Sequence, residues 1–158
     1  MPSFFPVSSG YLLPNYFTVL ANFVNATWNT VASHEIAVVT GLVHVMIIIE
    51  CDGTLTDAAD GASIQFGFEG ATNTWIASTG AAGAGGSTID DDEIWSDNTP
   101  LDKEGTTSSV IIDKVINGLD IGYEITGAAL TGGALRFHVY WEPLAPGSLC
   151  AEGAGGSL

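Results

Sequence analysis

The chain has 158 residues, 46% hydrophobic and only 13% charged, with eighteen acidic side chains against three basic ones and a formal net charge of −15. That length and hydrophobic share suit one domain with a real core and exclude a disordered chain. So acidic a surface repels phosphate, which argues against nucleic acid and anionic membranes as partners; its ordinary use is solubility and repulsion between free subunits.

Residues 1–15 carry Phe4, Phe5, Val7, Tyr11, Leu12 and Leu13 among three prolines. Proline forbids a regular helix or a central strand there, so the segment reads as an extended apolar arm on its own domain or on a neighbour. No basic stretch precedes the apolar residues, and a signal peptide is not expected. Residues 16–25 stand open between helix and strand, and Thr27 to Val31 reads as a weak strand.

The body, residues 16–144, shows period-2 alternation. Glu35 to Thr40 fits a strand, and Leu42 to Ile49 is β-branched and apolar on both faces, as in a central strand covered on both sides or meeting a partner. Ile64, Phe66 and Phe68 alternate with polar residues, as do Ile121, Tyr123 and Ile125, and Leu135, Phe137, Val139 and Trp141. Thr74 to Ala77 and Ser109 to Val115 are weaker strands. Asn117-Gly118 has the chemistry of a two-residue hairpin turn and predicts that the flanking strands pair. Residues 79–88 are low-complexity, residues 89–106 form a long acidic excursion, and the Gly/Ala-rich residues 145–158 read as a second arm. Many short strands between glycine turns predict an all-β, antiparallel β-sandwich, jelly-roll-like, with extended arms at both ends.

Candidate chemistry is sparse. Cys51 and Cys150 form no C-x-x-C pair; a buried free thiol is the ordinary reading, and a bridge between them stays open. Asp90, Asp91, Asp92 and Glu93 with Asp97 could offer oxygens to Ca²⁺, but without EF-hand spacing they read as a solvated loop. His34, His44 and His138 are scattered and pair with no nucleophile. No nucleotide, hydrolase or metalloprotease motif occurs, so no catalytic residue, metal or cofactor is expected. Trp28, Trp75 and Trp141 fall within strand patterns and read as core. Trp95, inside the acidic loop, reads as a contact residue, since tryptophan is a favoured interface anchor. The expected partner-binding set is therefore Phe4, Phe5, Tyr11, Leu12, Leu13 and Trp95.

The stretch from Asp120 through Ile-Gly-Tyr-Glu-Ile-Thr-Gly to Tyr140-Trp-Glu-Pro-Leu, followed by the Gly/Ala tail, resembles small virion proteins of tailed bacteriophages. The resemblance covers residues 107–158 in character and the whole chain in composition. It implies a capsid decoration (cement) protein: a β-rich homotrimer on the outside of a phage head, made in the host cytoplasm, whose partners are its own copies and the major capsid protein shell. It also leaves room for a tail-tube subunit or a carbohydrate- or receptor-binding module of a fibre. A hydrolase on a β scaffold is the remaining alternative, and it would need a polar cleft.

Overall fold

The computed structural model describes residues 15–158 apart from 59, 82–88 and 104–109, together with the backbone at 7–8 and 11–12. At the N-terminus β1 (Val7–Ser8) and β2 (Tyr11–Leu12) pair antiparallel, with Val7 opposite Leu12. The open segment after them is β3 (Asn15–Asn22), in which buried Val19 and Ala21 alternate with exposed Leu20.

The strand expected around Trp28 is a one-turn helix, α1 (Ala26–Asn29). Asn25 decides this: its side chain accepts from the Thr27 N–H at 2.9 Å and caps the turn, a role that favours Asn over apolar residues. The remaining strands are β4 (Ser33–Thr40), β5 (Leu42–Cys51), β6 (Thr56–Asp57), β7 (Ser63–Phe68), β8 (Ala71–Gly80), β9 (Glu93–Ile94), β10 (Leu101–Asp102), β11 (Ile112–Asn117), β12 (Ile121–Thr126), β13 (Leu130–Gly132), β14 (Ala134–Pro143) and β15 (Leu149–Glu152).

Two antiparallel sheets form the body. One runs β10-β9-β5-β14-β3 with β11 also paired to β5; the other runs β15-β4-β12-β7-β8. The pairs β4 with β15, β5 with β14 and β7 with β12 are nested, as in a long hairpin rolled up on itself, which is the jelly-roll principle. β11 departs from that scheme by pairing with β5 rather than β8. Alternation places Val43, Val45, Ile47, Ile49 and Cys51 of β5 inside. The inner faces meet at rings: Phe137 of β14 lies 5.5 Å from Phe66 of β7 and stacks at 5.9 Å on Tyr123 of β12. Each such side chain supplies about 1.5–3 kcal/mol of gross burial, and ring pairs add about 0.5–1.5 kcal/mol.

One expectation is corrected here. The strands flanking Asn117-Gly118 do not pair: β11 joins β5 in one sheet, while β12 joins β4 and β7 in the other. The turn is a crossing between sheets, held by the Gly118 N–H donating to the Gly41 carbonyl at 3.0 Å. The C-terminal segment lies on its own domain. β15 pairs with β4, and Gly153 and Gly155 donate to the carbonyls of Ile36 and Glu35 at 2.8 and 3.1 Å. A Cβ on Gly153 would press on the Ile36 backbone, so the small residues of the tail let it lie flat on its own sheet.

Candidate functional site

The expected contact residues divide between undescribed and buried. Phe4, Phe5 and Leu13, and the side chains of Tyr11 and Leu12, lie outside the described residues. Trp95 is a correction: it has 0% exposure, its N–H donates to the Ile49 carbonyl at 2.8 Å, and its indole N–H donates to Thr79 at 3.1 Å. Acidic flanks suggest a loop tip, but the short strand before Trp95 docks on β5 and turns the indole into the core, near Phe66.

The acids of that loop serve the loop. Glu93 accepts from the Asp90 N–H at 2.7 Å, Asp97 accepts from the Thr99 N–H, and Asp92 pairs with Lys103. Among the described residues no group of three or more His, Cys, Asp or Glu is placed to hold a metal ion. Cys51 and Cys150 are free and buried, and desolvation pushes each thiol up to about 12.

What the structure does bring together is an apolar end of the sandwich around the Gly41 turn. Val115, 61% exposed, lies opposite His44; Leu149, 49% exposed, lies opposite Thr40; Leu144, 46% exposed, donates its N–H to Leu42. Leu119 follows Gly118, which is bonded to Gly41, and exposed Val38 lies opposite Ala151. The chain enters β3 at the same end, with Asn15 opposite Trp141. In sequence these residues are spread from position 38 to 149, and each looks like a scattered surface apolar residue. The strand register brings their backbones near the Gly41 turn, with Val38 and Leu149 on the outward face of the five-stranded sheet and Val115 on that of the six-stranded sheet.

Beside this end runs the outward face of the six-stranded sheet, on which charge is neutralised within the molecule. Lys103 donates to Glu50 at 2.7 Å, His138 faces Glu50 at 2.9 Å and Tyr16 at 2.9 Å, and Arg136 pairs with Asp52. The Lys103 bond, then that from His138, holds the Glu50 carboxyl below the usual range. His44 bridges Asp113 of β11 at 2.6 Å and Glu142 of β14 at 2.9 Å. Tyr16, half-exposed, lies over Tyr140 with ring centroids 4.7 Å apart. Two of the three basic side chains thus sit here in a strongly acidic chain. An apolar, charge-compensated surface can approach another protein without stranding unpaired charge, which is the chemistry of docking.

No protein-family model and no curated protein matches the chain. Among solved structures, a chain from the acidic stable capsid structure of Helicobacter pylori bacteriophage KHP30 is similar to it, with 16% sequence identity and a TM-score of 0.42 over 89% of this chain and 96% of that one.

Proposed function

We propose that this protein is a non-enzymatic structural component of a phage particle, a decoration protein that docks on the outside of the capsid shell as a homo-oligomer, a trimer first. The observation that carries the reading is the apolar end around Gly41, where Leu119, Leu144, Leu149 and Val115 stand exposed beside a sheet face whose charges are already paired. The virion-protein character of residues 107–158 supports it. So does the use of the reactive side chains: each histidine is bonded within the fold, and the thiols are buried and held protonated. Trp95 is buried, and Trp28, Trp75 and Trp141 are half-buried with their rings packed against the core, which favours a protein partner over a glycan.

The test is decoration of bare heads by the purified protein, imaged by electron microscopy, with sedimentation to give the oligomeric state. Wild-type protein should decorate. A Leu144→Asp, Leu149→Asp variant should keep the wild-type melting curve and bind at least about 100-fold more weakly, because two exposed leucines supply about 3 kcal/mol or more of burial. Heads left bare by the wild type, or decorated equally by the variant, overturn the proposal.

A further inference from the structure

His44 is the histidine with a carboxylate at each ring nitrogen; the nitrogens of buried His34 face the Thr30 and Gly155 carbonyls at 2.9 and 3.5 Å, which carry no charge. Nε2 lies 2.6 Å from a carboxylate oxygen of Asp113, and Nδ1 lies 2.9 Å from a carboxylate oxygen of Glu142. An ionised carboxylate only accepts hydrogen bonds, so both nitrogens must donate, and only the imidazolium carries two N–H groups. A neutral ring would set one lone pair against a carboxylate. At His138 a single N–H suffices: one nitrogen donates to Glu50 while the Tyr16 hydroxyl can donate to the other.

The groups facing the ring come from both neighbouring strands. β11 presents Asp113, while Lys114 alternates to the other side of that strand; β14 presents Glu142, with Tyr140 the next outward residue, opposite Met46. On β5 itself the next outward charge is Glu50, beyond Met46 and Ile48. The ring is therefore the shared counter-charge of two acids on different strands, and the Glu142 bond, then the Asp113 bond, raises its pKa above the ordinary 6.5 against a smaller opposing desolvation.

We propose that His44 is a proton-set clamp that ties β11 and β14 to β5 beside the apolar end, so that this end holds its docking shape while the ring is protonated and loosens when it is not. The attachment part rests on the docking reading above; the clamp does not. For a histidine whose folded pKa is raised, the stabilisation is fully present below about pH 6.5 and is lost as pH rises through the raised value. Loss of the ring charge leaves Asp113 and Glu142 repelling each other across β5, with Val115, two residues from Asp113, on the strand that is freed.

The experiment follows the His44 ring by NMR titration of the full chain and measures melting between about pH 6 and about pH 9 for the wild type, His44→Gln and the pair Asp113→Asn, Glu142→Gln. The wild-type ring should titrate above 6.5, and melting should fall through that titration. The amide pair should bring the ring back towards 6.5, and His44→Gln should melt with a flatter pH dependence. A wild-type ring titrating at or below 6.5, or parallel melting curves for wild type and His44→Gln, overturns the clamp. Decoration of bare heads is then compared at the two ends of that range. Weaker decoration at the alkaline end supports the coupling, and equal decoration overturns it. Heads bare at every pH overturn the docking reading while the titration still decides the clamp.

Discussion

At the scale of single residues, burial decides what the aromatic and sulfur chemistry can do. Trp95 fills the space between β5 and the inner face, so Trp95→Ala should cost about 3–5 kcal/mol in urea denaturation through lost burial and a residual cavity. Trp95→Phe should cost less, since Thr79, left without its indole donor, still donates to the Ala77 carbonyl. Burial also sets the thiols. Cys51 and Cys150 are pushed up to about 12, so a thiol reagent at neutral pH should find neither in the native protein and both after denaturation. Rapid modification of the native chain would show that the strand ends carrying them open readily. Tyr123, also raised by desolvation, spends its hydroxyl on the Trp28 carbonyl at 2.6 Å and so fastens α1 to β12.

At the scale of elements, the Asn117-Gly118 turn shows how one local signal serves two architectures. Gly118 has φ +63°, a conformation that a β-branched residue resists, whether or not the turn closes a hairpin. No atom lies within 4 Å of where a Cβ would stand, so Gly118→Val should act through the backbone alone. A melting experiment should show a loss of about 1 kcal/mol or more. Turn chemistry was legible; which strands it joins was not, because pairing is settled by long-range register and not by the two turn residues. The C-terminal strand makes the complementary case. Removing residues 149–158 would strip β4 of a ladder partner and expose its edge, so the truncated chain should melt lower and aggregate, measurable by scattering. An unchanged melting curve would show that β15 adds nothing to the stability of β4.

At the scale of the whole molecule, net charge opposes the self-assembly proposed above for the apolar end. A chain of −15 repels its own copies, and that repulsion is screened over about 8–10 Å at ordinary ionic strength. Self-association measured by sedimentation should therefore strengthen as salt is raised. If it weakened, ion pairs between copies would be the main contact instead of apolar burial. The paired charges on the six-stranded face are consistent with the first outcome, since Glu50, Asp52, Asp113 and Glu142 already have partners within the protomer.

The residues by themselves determined the all-β class and the alternation of β7, β12 and β14, because a period of two is a property of neighbours along the chain, whereas β5, apolar on both faces in sequence, had its inner side chains chosen by the structure. They also determined the acidity and the lack of any recognisable catalytic motif. The tertiary structure decided what depends on partners distant in sequence. It turned Trp95 inward, capped α1 with Asn25, laid the tail along β4, and gathered Val38, Val115, Leu119, Leu144 and Leu149 around one turn. It also set His44 between Asp113 and Glu142, which lie 69 and 98 residues further along the chain. The physical reason is the same in each case: side-chain periodicity is local, whereas strand order and register are fixed by the burial of both sheet faces at once.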